Sequence, residues 1–285
     1  MKNIINLFII ISLFLLSCET EVKVNIDDAN PRLVSESYLN FDSETNMGYA
    51  SIFLTKSSQY YDDSDPSRIS NATVTINDNI LLFEDPDSAG FYSTDQPIFY
   101  NDQLIFKINI LAEIDGDAGS WTATDNFIEV PLIDSIYYYY EETSSTFQEE
   151  GYYVKIIFND PPSQENYYCL DVLVDSEDLF TLNPGTKWSS IFQDRYINGQ
   201  ELNFIVNDEP IDIGSEVTVV LSSISEQTYF YYFNLYTLMT ETQDIGAAPP
   251  FPLNGNLISN VSQLENGLGN FQVRNYSYKS IQILN

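Results

Sequence analysis

The residues of this chain that could do chemistry are carboxylates. Its 285 residues hold 42 Asp and Glu against 11 Lys and Arg, no histidine, and two cysteines, Cys18 and Cys169. Without histidine there is no Ser-His-Asp or Cys-His arrangement, and no imidazole to move a proton or ligate a metal. Zinc would then need a cluster of cysteines, which is absent, and no glycine-rich phosphate loop is present. What remains is two-carboxylate chemistry of the kind used in glycoside hydrolysis. With so many acids a close pair arises by chance, so their number assigns nothing. A general acid near neutral pH also needs a carboxyl kept from water. Most acids here stand beside Ser, Asn and Gly in turns; Glu129 and Asp171 are the least solvated that the pattern offers. Calcium prefers bunched oxygen ligands, as in Asp62-Asp63-Ser64-Asp65 and Asp115-Gly116-Asp117. Neither completes a calcium loop, because Asn126 stands where a bidentate glutamate should close the second. Acidic turns at strand ends are the simpler reading, so no catalytic residue, metal or cofactor is expected, with structural calcium as the one exception to test.

Cys18 carries a different chemistry. Lys2 is followed by an almost uninterrupted apolar run, Ile4 to Leu16, and then by Ser17 and Cys18. That is the layout of a secretory signal. The run falls short of the roughly 20 residues that span a bilayer. Leu15-Leu16-Ser17-Cys18 resembles a bacterial lipobox. The resemblance implies removal of residues 1–17 and acylation of Cys18. One acyl chain holds only marginally, at about 0.8 kcal/mol per buried methylene, but two or three anchor stably. Cys169 is then left without a disulfide partner and is expected to be a buried packing residue within Tyr167–Val172. The net charge of -31 argues against nucleic acid as a partner, because that affinity comes from Lys and Arg displacing counterions.

These groups must be positioned by β-structure. Residues 18–31 read as a lipidated acidic tether. Residues 32–130 alternate with period two between Asn, Asp and Gly turns, as in Ala72–Ile76 and Gln103–Ala112, which predicts an immunoglobulin-like antiparallel β-sandwich. Val130-Pro131-Leu132 marks a seam, and residues 131–285 predict a second antiparallel β domain. Within it, Ser223-Ile224-Ser225-Glu226 fits a capping box with Ser223 as N-cap. Tyr229, Tyr232, Phe233, Tyr236 and Met239 follow at helical spacing, which predicts a helix over 224–241 with its aromatic stripe in the core. The fold class is thus mainly β, with one packed helix.

The chain is rich in aromatics, with 21 Tyr and 18 Phe. Loops that mix aromatic, Pro and polar residues suit recognition better than turnover. Tyr60 to Arg68, Asn183 to Trp188 and Ala247 to Asn254 are such loops, and Tyr60, Tyr61, Trp188 and Phe251 are the candidate contacts for a ligand or partner.

The order of several segments resembles one family, the Bacteroidetes outer-membrane lipoproteins grouped as domain of unknown function 4249. The residues that carry the resemblance include Pro31–Val34, Ile69–Ile76, Gly90-Phe91-Tyr92, Pro131–Ile136, Phe158–Pro162, Asn166-Tyr167-Tyr168, Phe192–Gly199 and Gly267-Leu268-Gly269. The resemblance implies a surface lipoprotein of the outer membrane facing the cell exterior. Glu19 and Glu21, directly behind the lipid site, resemble an export signal of that phylum. It also implies an accessory partner of a TonB-dependent transporter, without catalytic residues to carry over, binding a small ligand, glycan or peptide. A carboxylate-dependent glycan-active enzyme and a structural surface adhesin stay open as alternatives.

Overall fold

Alternation of apolar and polar residues fixes most of the architecture, because side chains on a strand point to opposite faces in turn. The computed structural model describes residues 30–59, 62, 64–142, 149–162, 164–179, 190–241 and 253–284. In the first half the strands are β1 (Leu33–Asp42), β2 (Met47–Lys56), β3 (Thr73–Ile76), β4 (Ile80–Asp85), β5 (Ser88–Ser93), β6 (Ile98–Phe99), β7 (Ile105–Ile114) and β8 (Asp117–Asn126). In the second they are β9 (Ile133–Glu141), β10 (Gly151–Asn159), β11 (Tyr167–Val174), β12 (Glu177–Asp178), β13 (Ile191–Gln193), β14 (Glu201–Ile205) and β15 (Glu216–Ile224). Helix α1 (Glu226–Glu241), β16 (Ile258–Ser259) and β17 (Leu268–Gln282) complete the chain. The molecule is mainly β, with one helix among the described residues. None of the described helices is long and apolar enough to cross a membrane.

The first core lies between β1, β2 and the start of β17 on one side and β3, β7 and β8 on the other. Phe106, Ile108 and Ile110 of β7 face it together with Trp121 and Ala123 of β8. Fully burying such a side chain contributes about 1.5–3 kcal/mol. The second core lies between the three-stranded sheet β14-β10-β9 and β11, β15 and the end of β17, around Val154, Ile156, Phe158, Val172 and Val219.

Strand β17 belongs to both. Its first part runs parallel to β1, from Val34 opposite Leu268 to Asp42 opposite Tyr276. Its last part runs antiparallel to β15, from Ser223 opposite Asn275 to Glu216 opposite Gln282. Phe271 and Val273 therefore fill the first core, joined there by Leu257. A single cut at Val130 follows the chain only on its first pass, since the last strand returns to the first sandwich. Gly269 permits the close approach: its φ is +89°, and a Cβ there would lie 2.0 Å from the Ser35 carbonyl oxygen.

The helix starts two residues later than the capping pattern predicts. Ser223 and Ile224 remain in β15, because their alternation with Leu221 and Ser222 continues the pairing with β11. Ser225 is the N-cap, and its hydroxyl accepts the Thr228 N–H at 3.2 Å. The Ser223 hydroxyl instead donates to the Glu129 carbonyl at 3.1 Å. The aromatic stripe also divides. Tyr229 and Tyr236 are buried against Tyr167, Cys169 and Ile191, with Tyr232 beside them, whereas Phe233 and Met239 are exposed. Spacings of three and four follow the 3.6-residue turn; Phe233 and Met239 keep them too but stand at the two borders of the inward face, where solvent reaches them.

Candidate functional site

A cleft of about 680 Å³ opens at one end of the first sandwich, between the β3–β4 turn and the segment around β6. Asn77 and Asp78 of the turn have φ of 51° and 64°. Two successive left-handed residues make the tight turn that suits a two-stranded hairpin, and Asn and Asp tolerate that conformation best among residues with a Cβ. Asn77 is clamped on several sides. Its Oδ1 accepts the Lys107 N–H at 3.0 Å, its own N–H donates to the Lys107 carbonyl at 2.8 Å, and its Nδ2 donates to Gln103 Oε1 at 3.1 Å. Gln103 Nε2 in turn donates to the Ile105 carbonyl at 2.7 Å.

The opposite wall is as firmly held. Phe99 pairs with Met47 in the β6–β2 ladder, between buried Ile98 and partly buried Tyr100. Tyr100 stacks on Phe127 at 4.0 Å, and its N–H donates to the Asn46 carbonyl at 3.1 Å. Phe99 itself is 62% exposed. Asn79, Gln96 and Asn101 line the same cleft and are exposed. Their side-chain amides make no hydrogen bond among the described residues. Ile80, Pro97 and buried Phe106 provide the apolar lining, and no acid or base is among the lining residues.

A second cleft, of about 410 Å³, lies beside Lys56, Arg68, Asn71, Glu113 and Asp115. Its cations are already engaged. Lys56 Nζ meets Asp115 at 2.8 Å, and the Arg68 guanidinium lies 3.7 Å over the Phe53 ring. Asp115, one of the acids considered for calcium, thus serves as an ion-pair partner at the β7–β8 turn.

The carboxylates kept from water are not the ones the sequence pattern singled out. Glu129 is exposed, and Asp171 is partly exposed and paired with Arg274 at 3.1 Å. Asp125, Asp160 and Asp194 are buried instead. Strand parity was the signal for two of them. Asp125 continues the inward set Trp121–Ala123, and Asp160 continues Val154–Ile156–Phe158. Asp160 accepts the Tyr168 hydroxyl at 2.5 Å and the Gly199 N–H at 2.7 Å. Asp194 accepts the Asn166 N–H at 2.9 Å. Burial pushes the Asp194 carboxyl up, and neighbouring Asp160 adds to the rise. Asp125 is also pushed up by burial, against donors that include the Val273 N–H at 2.8 Å and the Thr228 hydroxyl at 3.3 Å. These acids tie elements together: Asp125 joins β8 to β17 and α1, while Asp160 and Asp194 hold the loop from Asp194 to Gly199 against β11.

The dense tyrosines of β9 serve packing. Tyr138 and Tyr140 meet Tyr152 across the strand pair at 5.9 and 4.9 Å, and Tyr139 meets Tyr153 at 5.9 Å. Tyr60, Tyr61, Trp188 and Phe251, the contacts expected from the sequence, lie outside the described residues, as do Cys18, Glu19 and Glu21. The clamped amide cleft was missed because Asn79, Gln96 and Asn101 come from three separate turns with no motif between them.

The model of one family, described as Domain of unknown function (DUF4249), matches residues 19–280. No curated protein matches the chain.

Proposed function

Because the chain belongs to the family described as domain of unknown function DUF4249, we propose that it is a lipid-anchored protein of the outer-membrane surface that works by binding, as an accessory partner of a TonB-dependent transporter. The anchor in this reading is acylated Cys18, and Glu19 and Glu21 direct it to the cell exterior. Binding rather than turnover is supported by one observation above all. The open amide cleft presents unengaged hydrogen-bonding groups and an exposed ring, whereas the carboxylates kept from water lie elsewhere and already accept hydrogen bonds in the interior. A catalytic acid must reach its substrate, and buried Asp160 and Asp194 are spent on backbone and tyrosine donors. Tyr60, Tyr61, Trp188 and Phe251 supply the contact with the transporter.

Purification of the lipidated protein from its native membrane tests the reading. A transporter-sized partner should accompany it, and replacing those four aromatics by Ala should reduce the partner while circular dichroism stays unchanged. Cys18→Ala should abolish fatty-acid labelling and release the protein from membranes. Recovery without any transporter, or glycan turnover that disappears in Asp194→Asn, would replace the proposal with the adhesin or the enzyme reading.

A further inference from the structure

We infer that the cleft between the β3–β4 turn and β6 binds an uncharged, hydroxyl-rich ligand, a short neutral oligosaccharide segment, with Phe99 as the platform and Asn79, Gln96 and Asn101 as the polar contacts. The inference rests on the binding reading above and names the ligand class of one site within it.

The chain carries a net charge of -31, yet the lining of this cleft holds no ionisable side chain. An anionic ligand would find no cation to pair with. Exposed Asp95 and Asp102, next in sequence to Gln96 and Asn101, would repel it. Lys107, the nearest base in sequence to the lining residue Phe106, is engaged by Asp78 at 2.9 Å. A cationic ligand would find its partners only in acids beside the lining, Asp95, Asp102 and the Lys107-paired Asp78, and none in the cleft itself.

A carboxamide offers a donor and an acceptor side by side, so one group can pair with two neighbouring hydroxyls of a sugar ring. Amides supply this at no cost in buried charge. Three of them, unengaged among the described residues, surround a phenyl ring that is 62% exposed. An exposed aromatic face pairs with the apolar C–H face of a sugar while the ring's hydroxyls reach the rim. A peptide would ask for something else: an open strand edge for its backbone and pockets for alternate side chains. Here β6 is only two residues long and is already paired with β2.

The wall residues are fixed before any ligand arrives. Asn77 and Gln103 use their own amides to lock the turn against β7, and Tyr100, the neighbour of Phe99, is anchored by stacking on Phe127. A site with fixed walls loses less freedom on binding, so modest contacts suffice. The volume of about 680 Å³ lies within the range of small-ligand sites, on the order of 300–1,000 Å³.

Calorimetric titration of the full mature chain with neutral gluco-, manno-, galacto- and xylo-hexasaccharides tests the inference, with oligogalacturonate and an oligolysine peptide as charged controls. At least one neutral hexasaccharide should bind, and the charged probes should not compete with it. Phe99→Ala should weaken that binding about tenfold or more, as expected for loss of one aromatic platform. The triple change of Asn79, Gln96 and Asn101 to Ala should abolish it. All four side chains are exposed, so the fold should survive by circular dichroism. Tyr196→Ala, at a residue 86% exposed on another loop, should leave the affinity unchanged. No heat with any neutral saccharide at millimolar concentration, equal affinity in the variants, or preferential binding of a charged probe would overturn the assignment. Each of these outcomes leaves transporter co-purification to be judged by itself, so failure of the ligand class and failure of the accessory role are separable.

Discussion

The two cores of this molecule are built on different rules. The first sandwich is filled with aliphatic and aromatic side chains, and up to the seam the buried polar residues among those described are Ser35, Ser37, Thr55 and a single acid, Asp125. From the seam onward, buried polar groups multiply: Asp160, Asn166, Asp194, Asn207, Thr228, Asn270 and Gln272 all lie inside. The first half keeps its unengaged polar groups outside, around an open cleft. The second spends its polar groups inside, on fixing loops and a helix. A dry core needs only shape and volume, so its surface loops are free to vary for recognition. A core with buried acids depends on every donor being in place, since an orphaned group carries its full desolvation penalty. The half whose interior does not need the loops is the one that holds the open cleft.

The largest effect should come from the strand the two halves share. Ending the chain before Leu268 removes the parallel partner of β1 and the antiparallel partner of β15, and both cores should lose cooperative unfolding in denaturant. A first sandwich that still unfolds cooperatively would show that the halves are independent. Within that strand, Phe271→Ala should cost about 3–5 kcal/mol, as for other buried aromatics, measured by the unfolding midpoint. Next in size is a change confined to the polar interior. Asp160→Ala leaves the Gly199 N–H and the Tyr168 hydroxyl without their acceptor and should cost about 1–3 kcal/mol. Removing exposed Glu44 in the first half, whose side chain makes no hydrogen bond among the described residues, should leave the midpoint unchanged.

A smaller effect separates the two serines before the helix. Ser225→Ala should cost about 1 kcal/mol, and Ser225→Asn should restore most of it, because Asn also accepts a hydrogen bond at an N-cap. If Ser223→Asn rescued a Ser225→Ala background, the cap would have been placed wrongly.

The smallest effect is the pH dependence, and its sign differs between buried Asp125 and Asp194 on one side and Glu84 on the other. Asp125 and Asp194 have carboxyls raised by burial. Their contribution to stability is complete below the ordinary Asp value of 3.8 and fades as pH rises through the higher folded value. Glu84 behaves the other way. Burial alone would raise it, but the Gly90 and Asn71 N–H groups, at 2.9 and 2.8 Å, outweigh that and hold it below its ordinary 4.5. Its contribution is present above that value and is lost as pH falls through the lower one. Asp194→Asn should therefore flatten the decline of the unfolding midpoint on the alkaline side of the carboxylate range. Glu84→Gln should flatten the decline on its acid side. Identical pH profiles for both variants would erase the distinction.

Periodicity by itself determined the strands, the mainly β class and the helix near 226, because a side chain's face depends only on its own position in the element. The inward parity of Asp125 and Asp160 was equally present in the sequence, though the acid beside the seam, Glu129, drew attention first. Three features belonged to the tertiary structure. The return of β17 to the first sandwich depends on which strand edge is open to it, a choice that Phe271 and Val273 do not encode locally. The N-cap went to Ser225 rather than Ser223 because pairing with β11 held Ser223 in the sheet. The amide cleft gathers residues from separate turns, and only the packing of β3, β6 and β7 brings Asn79, Gln96, Phe99 and Asn101 around one space.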